Sequence, residues 1–476
     1  MEAVYKFNDW LNGIVWGPWM LVILVGTGVY LTVILCAPQL RYFGIVWKEV
    51  FGKRARTAHA ESKSISSFAA MATAMAATVG TGNIAGVATA LHLGGPGAMF
   101  WMLVSAFFGM CTKFGEIVLA VHFREKDEHG DWRGGTMYIL EKGLVQEKGD
   151  SWKPVGKALA VLFAIFTFFA SFGIGSAVQA NSTAEGLKLG FNIDPLYSGI
   201  GMAILVGLVI IGGLKSLSTV TTYIVPFMAV FYIVGAIVVL ALHIDLLGQV
   251  IVDVVTYAFK DPMALPGALA GWSVRVAITK GIARGVFSNE AGLGSAPMVH
   301  ATANVDHPVR QGLYGIFEVF MDTFIICSMT ALVVMGTDTL TGQPGLTGAQ
   351  LSLFAFESVI GSFGKYILSI ALALFAFTTI LGWYWYAETA MVYLFGVWFK
   401  PLMKVVCITL VFVGAAGSEI FGTGTNEFLS HLWDMGDTLN GLMAIPNLIG
   451  LLLLSGVIRR LVKDFDAKRR SGELKI

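Results

Sequence analysis

Eleven apolar runs follow one another along this chain, and they dictate the solvent in which it can fold. They cover about 10–36, 64–92, 95–122, 157–184, 195–214, 219–243, 267–302, 309–335, 366–395, 403–421 and 437–458. A helix needs about 20 apolar residues to cross a hydrocarbon core, whereas crossing strands would alternate polar and apolar over about ten. These runs are continuous, so the expected fold is an all-α integral membrane protein with about 11 transmembrane helices. Composition agrees: hydrophobic residues make up 56%, charged residues 13%, and the mean hydropathy is +0.72. Soluble domains carry roughly a quarter charged residues. The same numbers exclude a disordered chain, a disulfide scaffold and a nucleic-acid-binding surface. A lipid bilayer is the expected surrounding, and no protein partner is required by any segment.

Cys36, Cys111, Cys327 and Cys407 form no CxxC pair, and the eight histidines are scattered, so neither a zinc site nor a redox motif is expected. The first run has neither the basic leader nor the short apolar core of a cleaved signal peptide, and is expected to stay as a span.

Lys and Arg in short loops mark the cytoplasmic side. Of the 32, 24 fall in alternate loops and the tail from Arg459, and only Lys6, Lys188, Lys260 and Lys365 fall on the other side. The remaining Lys113, Arg275, Lys280 and Arg284 lie inside runs. The split places the N-terminus outside and the C-terminus in the cytoplasm, in a plasma membrane of the bacterial inner-membrane type.

Two runs are interrupted at mid-depth. The second reads Met75-Ala-Ala-Thr-Val-Gly-Thr-Gly-Asn-Ile-Ala-Gly-Val87, and the seventh reads Arg284-Gly-Val-Phe-Ser-Asn-Glu-Ala-Gly-Leu-Gly-Ser-Ala-Pro297. Glycines and small polar residues there weaken a helix and free backbone groups, which lipid tolerates only around a cavity. Small-residue helix packing accounts for Gly86 and Ala90 but not for Gly80–Asn83. Gly80-x-Gly82-x-x-x-Gly86 is not a dinucleotide fingerprint, since it has no preceding strand. Asn181-Ser-Thr183 matches a glycosylation acceptor but sits in a span. Runs two to six and seven to eleven each comprise five spans that begin with the broken one. Because five is odd, the halves (64–243 and 267–458) enter from opposite sides, leaving run one (10–36) as an extra helix and 459–476 as a basic tail. Paired breaks in inverted halves mark the midplane site of a secondary transporter.

Thr78-Val-Gly-Thr-Gly-Asn-Ile84, Gly94-Gly-Pro-Gly-Ala-Met-Phe-Trp-Met102 and Phe287-Ser-Asn-Glu-Ala-Gly-Leu-Gly-Ser295 resemble the alanine or glycine:cation symporter family, over nearly the whole chain. One departure is Leu103, where members often carry a second Trp. The resemblance implies membership of the amino acid–polyamine–organocation superfamily, a 5+5 inverted-repeat, LeuT-like core, and sodium-coupled uptake of small neutral amino acids, alanine and glycine, by alternating access. Proton coupling on the same fold is the alternative, and a multi-pass membrane enzyme is disfavoured because no nucleophile–base pair is visible. Na+ is the one coupling ion expected, with no other cofactor.

The resemblance also places a site. The amides of Thr81, Gly82 and Asn83 would hold the substrate carboxylate at a half-helix N-terminus, whose dipole favours anions. Carbonyls at Thr78 and around Gly285–Ser288 would hold its ammonium group, with Phe287 nearby. Sodium would take carbonyls of Ala76, Val79 and Phe375 and hydroxyls of Thr378 and Thr379. Trp383, one turn beyond Thr379, would be either a packing residue or the wall that limits the substrate side chain. Gln179 would be either a helix–helix link or a substrate contact. Glu116 would either pair with Lys113 or brace the amides of the broken seventh helix. Arg284 and Glu290 would brace or gate that break, and Glu318, Asp322 and Glu388 are expected to face a cavity.

Overall fold

The computed structural model describes residues 2–52, 64–128, 130–261, 265, 267–269, 271–422 and 424–474, with backbone alone for 424–429. Lys53, Arg54, Arg56, Lys63 and Lys475, used above for orientation, lie outside them. Among the described residues the regular structure is helical, apart from a two-residue antiparallel ribbon that pairs Glu125 with Arg133 and Lys126 with Trp132 and one isolated bridge between Ile65 and Ala303. Among the described residues, seven helices are long and apolar enough to span a membrane, or up to nine when each bent pair is one span. Pro195–Ile211 is a shorter apolar helix. The seventh expected span is absent from that set because Val274–Asn289 carries Arg275, Lys280 and Arg284 in 16 residues.

Both expected interruptions are real breaks. Ser67–Thr78 and Gly82–Gly94 meet at 53°. Val274–Asn289 stops at Glu290, and helix resumes only at Pro297–His300. Gly97–His122, the third span, packs along the seventh and along Pro308–Val319. Its approach to the seventh is as tight as backbones allow: a Cβ at Gly281 would overlap the Ala98 carbonyl. Small residues make that possible where burial of apolar area offers no drive between helices. The fourth span (Lys153–Phe172, Gly173–Ala177, Val178–Phe191) packs against the ninth, Ser362–Phe395, and Pro195–Ile211 packs against the tenth, Lys400–Phe421. Ile204, Leu208, Tyr223, Phe227 and Val230 on the fifth and sixth spans point outward, as lipid-facing positions do.

Three departures from the sequence reading stand out. The loops after spans six and eight hold helices of their own, Ile244–Thr256 and Gly348–Ile360. The first span is interrupted at Trp16-Gly17, between Glu2–Val15 and Pro18–Ile34. The basic tail is a helix, Ser455–Arg470, bent by 58° from the last span. Its buried Val462 and Phe465 pack inward, and Asp466 accepts from the Tyr42 hydroxyl at 2.8 Å and pairs with Arg41 at 3.2 Å. That helix has a strongly two-sided pattern, so it docks on its apolar face instead of hanging free.

Candidate functional site

The break in the second span is closed by one side chain. Asn83 Oδ1 accepts the Gly80 amide at 2.8 Å, and the Asn83 amide donates to the Gly80 carbonyl at 3.0 Å. Because Gly80 N turns away, the Ala76 carbonyl loses its helical i+4 donor. The amides of Thr81 and Gly82 find no backbone acceptor among the described residues. Asn83 therefore corrects the sequence reading: its amide is already spent, and its side-chain nitrogen donates to Asp322 Oδ1 at 2.5 Å. Asp322 also accepts from Ser288 Oγ at 3.2 Å and from Thr323 Oγ1 at 2.7 Å, so Ser288 turns its hydroxyl toward the eighth span.

At the seventh-span break the helix runs on to Asn289, and the Glu290 amide takes the Val286 carbonyl. The carbonyls left without a helical donor are therefore Phe287, Ser288 and Asn289, overlapping the later half of the expected Gly285–Ser288, and the last, Asn289 O, accepts from Lys113 Nζ at 2.9 Å. Lys113 is fully buried; it also reaches Thr78 Oγ1 at 3.4 Å and pairs with Glu318 at 3.1 Å. Glu318 in turn meets His300 Nε2 at 2.6 Å. One ammonium thus ties together both broken helices and the eighth span. Glu116, one turn along from Lys113, turns the other way: its Oε1 accepts the amides of Gly292 at 3.0 Å and Gly294 at 3.2 Å and Asn447 Nδ2 at 2.5 Å. Glu388 pairs with Tyr384 and Lys400, and Glu318 and Asp322 are bonded inside the bundle, so none of the three is free to face a cavity.

Of the expected cation ligands on the ninth span, Thr379 reaches across to the second, while Thr378 bonds back within its own helix and to Met228 Sδ. Thr379 Oγ1 lies 2.9 Å from the Phe375 carbonyl and 3.4 Å from the Val79 carbonyl; Thr378 Oγ1 lies 3.0 Å from Phe375 O. With the released Ala76 carbonyl this is a neutral, all-oxygen set of the kind a hard cation takes. Thr379→Val keeps the shape and removes one oxygen. Sodium affinity should fall by roughly 10–100-fold, the loss that removing a mere supporting partner of a metal site already brings. A sodium titration of uptake checks this, and an unchanged curve would remove Thr379 from the site.

Between the breaks lies a chamber of about 30 Å³ lined by Thr78, Gly80, Gly82, Gln179, Arg284, Phe287, Glu290, Thr379 and Trp383 among others. It is the floor of a vestibule of about 650 Å³, and Gly82, Ile174, Gln179, Arg284 and Phe287 line both. Trp383 packs its Cβ against Gly175, where any side chain would collide with it. Gln179 is a link and a wall at once: Oε1 accepts from Thr81 Oγ1 at 3.0 Å, and Nε2 donates to Ile174 O at 3.0 Å. Two π-helical turns reach the chamber, Gly82–Gly86 and Gly173–Ala177, and a third, Phe320–Cys327, packs against the first. Such turns cluster at functional sites, and apart from the glycines of the first two nothing in the sequence announces them.

Two broken helices around a midplane chamber, inside a bundle of apolar spans, define a multi-pass secondary transporter. The fold is similar to that of MhsT, solved in complex with L-phenylalanine: TM-score 0.54 and 15% identity over 84% of this chain and 97% of that one. It is also similar to a Na+-coupled sialic acid symporter solved in a substrate-bound outward-open state, with TM-score 0.50 and 11% identity over 93% of this chain and 98% of that one. Both likenesses speak for the LeuT-like fold alone.

The chain belongs to the sodium:alanine symporter family, whose model matches residues 1–476. It is 45% identical to the sodium/alanine symporter AgcS of Methanococcus maripaludis, over 99% of each chain. It is 36% identical to the probable sodium/glutamine symporter GlnT of Bacillus subtilis, over 97% of this chain and 91% of that one. It is a Na+-coupled amino acid symporter in a membrane, and not an enzyme.

Proposed function

We propose that the protein takes up alanine and glycine with sodium, entering from the outer side through the vestibule and binding in the chamber between the two breaks. The observation that carries this is the size of the chamber. About 30 Å³ has room for about two waters on the measure in which one needs about 10–15 Å³, so the chamber takes one end of an amino acid, the rest lying in the vestibule that shares its lining, and a large side chain has no room beside the Trp383 ring. The inverted repeats are 64–243 and 267–458, and eleven spans put the N-terminus outside and the C-terminus in the cytoplasm. Sodium sits on Ala76, Val79, Phe375, Thr378 and Thr379, and the substrate lies against Thr78, Thr81, Gly82, Gln179, Phe287 and Trp383. The shared position of Thr379 favours coupling: it belongs to the cation set and also lines the chamber.

A relative named for alanine and another named for glutamine share these spans, so the end of the chamber away from the breaks is what distinguishes side chains. Trp383→Ala should admit valine and leucine, with a gain of about 0.8 kcal/mol, or roughly fourfold, per buried methylene. Alanine should bind more weakly because it no longer fills the space. Competition of a series from glycine to leucine against labelled alanine, in sodium, is the test. A wild-type protein that accepts leucine or glutamine as well as alanine would overturn the small-substrate reading. A Trp383→Ala protein with the wild-type rank order would move the size filter to Phe287.

A further inference from the structure

Two charged side chains at the chamber are left unused by that account. Arg284 leaves the helical half Val274–Asn289 so that its guanidinium lies against Gly82 and Gly86, where a side chain on either glycine would collide with it. It sits over the Phe287 ring at 4.6 Å. Its Nε and Nη2 are buried and have no hydrogen-bond partner, and among the described residues no carboxylate stands within ion-pair distance. Glu290, the first residue beyond that helix, is only 3% exposed and is held in the left-handed region at φ 55°. A residue with a side chain held there by its surroundings points to a demand of the site. One of its oxygens accepts from Ser295 Oγ at 2.6 Å, and among the described residues no basic group pairs with it.

Both residues line the same small chamber. Lone charges at this depth are expensive and persist when something pairs with them. Arg284 also stands against Gly82, whose amide, like that of the preceding Thr81, lacks a backbone acceptor. The chamber therefore has a cationic end, made of a guanidinium and two N–H groups, and an anionic end at Glu290.

We infer that Arg284 and Glu290 form the two ends of a receptor for a zwitterion: Arg284 with the Thr81 and Gly82 amides takes the ligand's carboxylate, and Glu290 takes its ammonium. This rests on the amino acid reading above and replaces recognition by backbone groups alone. It also sets the substrate class. A ligand must bring both charges on one carbon, so amino amides and hydroxy acids of the same size are rejected, each because it leaves one buried charge unpaired.

The test is equilibrium binding of labelled alanine to the purified full-length protein in sodium, with alaninamide (no carboxylate) and lactate (no ammonium) as competitors. In the wild type both should compete about 100-fold less well than alanine, as expected for loss of a charge-assisted pair. Arg284→Gln should weaken alanine and close most of the gap to alaninamide while leaving the gap to lactate open. Glu290→Gln should do the reverse. Arg284→Lys and Glu290→Asp, which keep the charge, should keep the gaps and carry the same comparison if the neutral variants do not fold. Arg284→Gln or Glu290→Gln protein in which alanine weakens while both gaps stay at the wild-type value, or Arg284→Lys or Glu290→Asp protein in which a gap closes, would overturn the proposal and make the two residues structural. Alaninamide or lactate rivalling alanine in the wild type would overturn it as well. Wild-type protein that binds no alanine in sodium would fail the amino acid reading itself, and this proposal with it.

Discussion

Lys113→Met should be the most damaging single change to this protein's folding. The ammonium is fully buried and bonded to Asn289 O, Thr78 Oγ1 and Glu318, so methionine fills the space but strands the Glu318 carboxylate beside His300. Breaking a buried ion pair by removing one partner costs about 3–5 kcal/mol, against a total stability on the order of 5–15 kcal/mol for an ordinary domain. The expected result is a large drop in Tm of the detergent-purified protein, with little functional carrier in the membrane. Removing both charges in Lys113→Met/Glu318→Gln should restore most of the Tm, because replacing a whole buried pair is far cheaper than breaking it. Transport should not return with it, since the tie between the two broken helices is still cut. A single variant with wild-type Tm would show that the pair is not holding the bundle.

The second large effect is expected at Glu116, and here it should fall on transport more than on folding. Its Oε1 gathers the amides of Gly292 and Gly294 in the seventh-span break and the side chain of Asn447 on the last span. Glu116→Ala strands all three at about 1–3 kcal/mol each when nothing replaces the acceptor. Glu116→Gln keeps an acceptor oxygen but places an NH2 where Oε2 now has no hydrogen-bond partner. The backbone of the seventh-span break should shift, and a displacement of about 1 Å is enough to cost roughly 100-fold in a positioned site. Uptake per folded molecule, measured against expression and Tm, separates the effects. Glu116→Gln with normal uptake would leave Glu116 as a packing residue.

The positions of both breaks were legible because glycine and small polar residues at mid-depth have few meanings in lipid. The Thr378-Thr379 pair carried little signal by itself, since hydroxyls in a helix bond back to the preceding turn, as both do here onto Phe375 O; its expected role came from the resemblance. What each break does with its freed groups was not legible. Glu116 is the sequence neighbour of Lys113 at i+3, the spacing that ordinarily suggests a local pair, yet the long Lys113 side chain crosses to Glu318 on another helix, which only the packing decides. Asn83 looked like a donor for a ligand because its place after two glycines is a half-helix start; its short carboxamide instead folds back on Gly80. The docked tail helix was hidden by its charge, which reads as solvated until Phe465 and Val462 find a surface. The helices Ile244–Thr256 and Gly348–Ile360 were missed because each is too short to register as a span.

Uptake of labelled alanine into proteoliposomes at fixed pH, with and without an inward sodium gradient, tests the central claim most directly. The proposed sodium set and the chamber share Thr379, so on that proposal each ligand should favour the other's binding. The account predicts alanine accumulation above the external concentration with the sodium gradient and simple equilibration, or none, without it. Accumulation driven by a proton gradient in the absence of sodium, or no uphill movement under either condition, would contradict it.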